Sequence, residues 1–285
     1  MEEFGGLNKK QLLKLLAVIA LSDGTIDKHK KYMRSITLRT NKNSVGQHDM
    51  FNYLSNQIIN KNAGNIKSKK FLCSRIYSTE LVKKLLKLSP SYKTTPCKEN
   101  KKDFLSKPQP TLSFMFNENK NVQKLALRMW FDFEGTLISR FRLCKKFDRK
   151  YFSYDLAFLY DVFLAESNPS LVNDLIKLCD NVGFKAVIKK DPRNWIGIGG
   201  IKLYGKSDVI KFSEMGPITD VKVSKKSPRF SGFSKKSICL STLEILKWKK
   251  IHWSFDNEKE GLLLKQELDK KFKEMIKKYD LLMNS

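Results

Sequence analysis

Histidine and paired cysteine are the residues this sequence has least of. Its three histidines, His29, His48 and His252, are spread through 285 residues, and its five cysteines, Cys73, Cys97, Cys144, Cys179 and Cys239, are odd in number and never form a C-x-x-C pair. Imidazole chemistry and a His-rich metal site are therefore disfavoured. So are a disulfide framework and a structural zinc site; the scattered thiols fit a reducing cytoplasm, or an organellar matrix or nucleoid in a eukaryote. No apolar run reaches the length of a membrane span, so no membrane partner is expected. The segment LLKLLAVIALS resembles the core of a secretion signal, but it follows the acidic MEEF, precedes the charged DGTIDKHKK and lacks a small-x-small cleavage site.

Acidic residues are also scarce. Asp and Glu number 29 against 55 Lys and Arg, a net charge of +26, while 41% hydrophobic residues are enough for a folded chain. Such an excess gains affinity for a polyanion by releasing its condensed counterions, which makes nucleic acid the leading partner class. At this length two domains, each with its own core, are expected.

One stretch, GIKLYGKS at 200–207, fits the phosphate-loop pattern G-x-x-x-x-G-K-[ST]. Its alternation of Ile201, Lys202, Leu203 and Tyr204 is that of a strand end, and no later apolar run ending in Asp completes a nucleotide site. An NTPase is thus a minor reading.

Internal similarity is more informative. LLAVIALSDGTI (15–26) and LALRMWFDFEGTL (125–137) are both apolar segments of helical length ending in acid, Gly, Thr and an apolar residue, with Asp23 opposite Glu134 and Gly24 opposite Gly135. SRIYSTELVKKLL (74–86) matches IKLYGKSDVIKFS (201–213), pairing Arg75 with Lys202 and Tyr77 with Tyr204; the second copy is longer by 16 residues. In that alignment the phosphate-loop pattern is absent from the first copy, where SRIYSTE stands in the same strand-to-helix turn. Periodicity gives each half as helix, two strands, helix, two strands, helix. The fold class is α+β, built as two αββαββα units. The first spans 1–110 with a linker carrying Pro90, Pro96, Pro108 and Pro110. The second spans 111–216, and 217–285 form a basic, helical C-terminal extension.

The first motif helix, with Leu12, Leu13, Leu15, Leu16, Ala17, Val18, Ile19 and Leu21, has no polar face and must be covered all round. If the two copies meet through these helices, Asp23 and Glu134 come together at their ends. Paired carboxylates repel unless a cation or proton intervenes, and hard oxygen ligands select Mg²⁺ or a similar ion. An acid is also a poor choice for simply ending a helix, whose C-terminus is already partly negative. On a strongly basic chain this arrangement suits metal-assisted phosphodiester cleavage.

LAVIALSDG (Leu16 to Gly24) and LRMWFDFEG (Leu127 to Gly135) resemble the two motifs of the LAGLIDADG homing endonucleases in their single-chain, pseudo-twofold form. The resemblance covers roughly residues 8–216. It implies LAGLIDADG-type units packed through their motif helices, Asp23 and Glu134 as catalytic acids holding Mg²⁺ or Mn²⁺, and a saddle of strands along the major groove of double-stranded DNA. It further implies a basic residue near the scissile phosphate on the last strand of each half, a place taken by Arg75 and Lys202. Groove-facing candidates on the strands are Arg34, Arg39, Lys69 and Lys70 in the first half and Arg140, Arg142, Lys145, Lys189 and Arg193 in the second. The second motif departs from the family in carrying bulky Arg128, Met129 and Phe133 at positions that are usually small. The ends of the chain lack intein features, so a free-standing monomeric, site-specific endonuclease is expected. The alternative is a degenerate DNA-binding protein or an intron RNA maturase on the same fold. For any nucleic-acid partner, the logarithm of the affinity should fall linearly and steeply with that of the salt concentration; a flat response would overturn the charge argument.

Overall fold

The computed structural model describes residues 2–29, 33–68, 70–97, 99–148, 151–224, 227 and 229–284. Its first copy runs α1 (Lys9–Ser22), β1 (Gly24–His29), β2 (Met33–Asn41), α2 (Val45–Ile59), β3 (Gly64–Lys67), β4 (Phe71–Tyr77) and α3 (Thr79–Leu88). A short helix, α4 (Lys101–Ser106), lies in the bridge. The second copy runs α5 (Lys120–Glu134), β5 (Gly135–Asp148), β6 (Tyr151–Ala165), α6 (Pro169–Asn181), β7 (Val187–Lys190), β8 (Ile198–Leu203) and α7 (Lys206–Met215). The C-terminal segment adds α8 (Lys235–Leu246), β9 (His252–Phe255) and α9 (Glu258–Asn284). The order read from periodicity is thus present in both halves, and both form antiparallel sheets of the same topology, β1-β2-β4-β3 and β5-β6-β8-β7.

The chain clusters into two compact units, Met1–Gly135 with Phe163–Lys202 and Pro217–Val221, and Thr136–Val162 with Leu203–Gly216 and Lys222–Ser285. Both motif helices belong to the first. A capping box starts α1: the Asn8 side chain accepts from the Gln11 N–H at 3.0 Å while the Gln11 side chain accepts from the Asn8 N–H at 3.2 Å. Asn119 caps α5 through the Val122 N–H at 3.0 Å. From Leu15 to Ala20 every side chain of α1 is fully buried. The helix is covered by α5, α2 and α3 and by strands β1 and β2, which answers its lack of a polar face.

Each motif helix passes straight into a strand at its glycine. A Cβ on Gly24 would stand 2.6 Å from the Ala20 Cα, and one on Gly135 would stand 2.5 Å from the Phe131 Cα. Both glycines are therefore demanded by close approach to the helix's last turn. Left-handed backbone, the usual reason for glycine at a helix end, is not the cause here, since Gly135 has φ −95°. In β8, Gly200 has φ +144° and lies against the Leu164 carbonyl of β6, so that position too admits no side chain.

The proline-containing bridge is fixed rather than loose. Phe104 of α4 is buried edge-on against Trp195 at 5.4 Å. Asn168, the N-cap of α6, donates to the Thr94 carbonyl at 3.2 Å, and the Thr111 hydroxyl donates to Asp174 at 2.6 Å. In the second unit the C-terminal segment supplies core as well as surface. Its strand β9 pairs with β6 from Tyr154↔Phe255 to Ala157↔His252, and Phe272 of α9 meets Phe158 edge-on at 5.5 Å. The extra length of the second copy lies mainly in one hairpin. From Gly135 to Pro169 is 34 positions where Gly24 to Val45 is 21, and β5 and β6 are correspondingly long.

Because the Gly135 site is closed by backbone, Gly135→Ala should lower stability by about 1–3 kcal/mol. Denaturant melts should show this as a shifted midpoint with an unchanged slope.

Candidate metal and nucleic-acid site

Asp23 is the C-cap of α1, its N–H bonded to the Ile19 carbonyl at 3.2 Å. Glu134 is the last residue of α5. Both are half-buried, and they end helices that pack directly on one another. A carboxylate at the negative end of a helix gains from a nearby cation, and each motif helix carries such a carboxylate there. Among the described residues no group of three or more His, Cys, Asp or Glu forms a cluster able to hold a metal by itself. A pair of acids nevertheless suits Mg²⁺, which is commonly bound through one or two carboxylates together with water and substrate phosphate oxygens. The donor set at the helix ends therefore fits an ion shared with a phosphodiester, and does not fit a closed structural site.

The bulky residues of the second motif are otherwise engaged. Arg128 forms an ion pair with Glu3, one of its two N–H contacts there being 2.7 Å, and donates to the Pro217 carbonyl at 3.1 Å. Met129 is completely buried. The other acid of that motif, Asp132, is 1% exposed and holds the segment after α7, accepting from the Ile218 N–H, the Thr219 N–H and the Thr219 hydroxyl at 3.2, 2.9 and 3.1 Å. Asp132 is thus a structural acid of the second motif. At the other end of the helix pair, Lys14 and Gln11 reach Glu118 at 2.5 and 3.0 Å. Burial acts to raise the Glu118 carboxyl, but these bonds and the Lys14 charge outweigh it and hold the group below the usual carboxylate range.

Arg75 and Lys202 occupy equivalent positions in the two sheets, Arg75 of β4 opposite Gly64 of β3 and Lys202 of β8 opposite Val187 of β7. Arg75 also lies opposite Thr37 of β2. Its Nε donates to the Thr37 hydroxyl at 3.0 Å and an Nη to the Tyr77 hydroxyl at 3.3 Å, while Thr37 donates onward to Asp27 at 3.2 Å. The bond to Tyr77 is the main cause that holds the guanidinium charged more firmly than usual. Thr37, Asp27 and Tyr77 are thus parts of the site that sequence reasoning missed. Only Tyr77 left a signal, through its match with Tyr204 in the repeat; the others depend on strand register.

Alternation divides the groove candidates by face. Arg39 shares the Arg75 face, its guanidinium 3.9 Å over the Phe71 ring, whereas Arg34 has the parity of buried Ile36 and Leu38. In the second copy Lys189 lies opposite Gly200 and shares the face of Lys202, its ammonium 4.3 Å over Phe163. Arg140 and Arg142 share one face of β5. Lys145 has the other parity and sits 3.7 Å over the Phe152 ring. Arg193 is exposed and bound to its neighbour Asp191 by two bonds of 2.9 Å, and their hydrogen bonding brings Asp191 down to about 2. Lys70 stands in the exposed turn before β4, and Lys69 lies outside the described residues. GIKLYGKS bridges the end of β8 and the start of α7, with Gly205 as an N-cap lacking a side-chain bond where the first copy has Ser78 bonded to the Leu81 N–H at 3.2 Å. None of the five cysteines is in a disulfide, and among the described residues no helix is long and apolar enough to cross a membrane.

No family profile matches the chain, and no curated protein matches it in sequence. In structure it is similar to homing endonucleases over most of its length. A mesophilic variant of the homing endonuclease I-DmoI is 14% identical with a TM-score of 0.47, covering 73% of this chain and 96% of that one. I-DmoI in complex with DNA and manganese is 13% identical with a TM-score of 0.46, covering 73% and 97%. The meganuclease I-SmaMI bound to uncleaveable DNA is 12% identical with a TM-score of 0.48, covering 84% and 91%.

Burial shifts His48 and Glu166, both away from the motif acids. Desolvation lowers His48 to about 4; its ring nitrogens are 2.6 Å from the Ser74 hydroxyl and 2.8 Å from that of Thr40. Desolvation raises Glu166 from 4.5 to about 7, against the opposing effect of bonds from the Asn168 and Ser167 N–H groups. An acid whose folded pKa is raised favours the protonated form in the folded state, so stability falls as pH rises through that window and is level above it. Glu166→Gln should therefore match the parent near pH 4 and exceed its stability above pH 7 by up to about 3 kcal/mol. Thermal melts across that range check the window.

Proposed function

We propose that this chain is a divalent-metal-dependent endonuclease acting on double-stranded DNA, in the manner of the LAGLIDADG homing endonucleases. The observation that carries the reading is the repeated helix–acid–glycine–strand junction. It places Asp23 and Glu134 at corresponding ends of two directly packed helices, with a Cβ excluded at both Gly24 and Gly135. Asp23 and Glu134 would hold Mg²⁺ or Mn²⁺ between the helix ends and the scissile phosphate. When bound, such an ion neutralises charge on the reacting oxygens and acidifies a water molecule.

The chain's own residues supply the rest. The helix ends fix where both carboxylates stand, and burial of α1 on all sides makes that placement rigid. Arg75, oriented by Thr37 and Tyr77, and Lys202 at the equivalent position on β8 are suited to balance phosphate charge as it develops. Arg39 and Lys189 extend the same two sheet faces and are suited to phosphates or guanine edges. Because both acids come from one chain, a monomer suffices.

Asp23→Asn and Glu134→Gln should each abolish cleavage of a target duplex in Mg²⁺ while leaving duplex affinity in Ca²⁺ within about threefold, since only the chemical step needs both charges. Full cleavage by both variants would overturn the metal assignment. Tight binding by the parent protein with no cleavage in Mg²⁺ or Mn²⁺ would favour the non-cutting DNA- or intron-RNA-binding reading.

A further inference from the structure

In the second compact unit, a cavity of about 450 Å³ is lined by Arg140, Arg142, Lys145, Arg229 and Lys265, with Glu258 as the one acidic residue. The first three come from β5, which is the edge strand of its sheet; Arg229 comes from the loop before α8 and Lys265 from α9. Five cations around one cavity repel each other, and a chain governed only by stability would not gather them. Several are already held in place. Lys145 stands over Phe152, Lys265 is paired with Asp269 at 2.5 Å, and the Arg140 Nε is buried with no acceptor among the described residues. A buried guanidinium N–H without an acceptor is unfavourable, and an acceptor oxygen brought to the cavity would relieve that cost.

The wall is shaped for close approach. Gly261 of α9 leaves Leu143 of β5 so near that a Cβ there would come within 2.7 Å of its Cδ1, and glycine inside a long helix is otherwise unfavourable. Strand geometry sets Arg140 and Arg142 about 7 Å apart along the edge. That linear spread suits a backbone running past the strand better than one compact phosphate group.

We propose that this cavity binds backbone phosphate of double-stranded DNA, so that the C-terminal segment, which lies outside the repeat, is a second DNA anchor distinct from the two-acid site. The guanidinium groups would grip phosphate oxygens in bidentate fashion, with the ammonium groups as point charges. The proposal rests on the DNA-binding reading above and adds to it a place and a role for residues 217–285.

The test is the salt dependence of binding to a mixed-sequence duplex, measured for the full chain, for Arg229→Ala/Lys265→Ala and for the charge-keeping Arg229→Lys/Lys265→Arg. The neutral pair should reduce the slope of log affinity against log salt by about 1–2 and weaken binding, while single-turnover cleavage at saturating DNA keeps its rate; the charge-keeping pair should restore the slope. Should the neutral pair fail to fold by circular dichroism, the exposed Arg229→Ala alone should lower the slope by about 1. An unchanged slope in a folded neutral variant would overturn the anchor while leaving the endonuclease reading intact; a parent chain that binds no duplex would remove both. Loss of inorganic tripolyphosphate binding with an unaltered DNA slope would likewise overturn the backbone assignment and mark the cavity as a site for a free phosphate ligand.

Discussion

A helix with no polar face can exist in water only if other elements enclose it, and α1 is such a helix. Its enclosure by α5, α2, α3 and two strands fixes where its C-terminal end lies, and with it Asp23. Each fully buried Leu or Ile on it contributes roughly 1.5–3 kcal/mol, so moving this helix would disturb most of the first unit. That rigidity is what lets an acid remain at the negative end of a helix. A carboxylate so placed gains from a nearby cation, which is the physical ground of the metal reading. The same packing explains the glycines, since a strand that starts in the helix's last turn has no room for a side chain.

Part of the basic excess is committed to ion pairs within the protein. Arg128, Lys14 and Arg193 are paired with Glu3, Glu118 and Asp191, and Lys146 with Asp155, which also accepts from the Ser254 hydroxyl at 2.8 Å. Arg39, Arg75 and Lys189 instead lie across the open faces of their sheets, positioned by aromatic rings or hydroxyls. Positioning of this kind limits the rotamer entropy such side chains would lose on binding an anion.

The two copies share topology but have diverged in detail. The second has a longer hairpin between β5 and β6, and the C-terminal segment joins its sheet through β9. Phe141, Phe158, Phe272 and Trp248 form an aromatic core in the second unit, so α8 and α9 are part of its folded body. The first copy carries no such addition. Both copies keep the acid–glycine junction, while the second sheet alone is joined by the C-terminal segment.

The amino-acid sequence by itself determined the duplication, the element order of both halves, the helix bearing Asp23 and the acid aligned with it, because apolar periodicity and a repeated motif are local properties of the chain. It also showed that GIKLYGKS is a strand-to-helix turn, through the partner stretch that lacks the pattern. Tertiary structure alone decided which residues share a surface. Strand register joins Arg75 to Thr37 and Tyr77, turns Arg34 to the opposite face from Arg39, and commits Asp132 to a buried loop. Strand β9 and helix α4 were not legible because four- and six-residue segments carry too little period to show, and their places come from pairing and burial against distant parts of the chain. Local pattern can write an element, but which side chains meet is settled only by the packing and pairing of elements far apart in sequence.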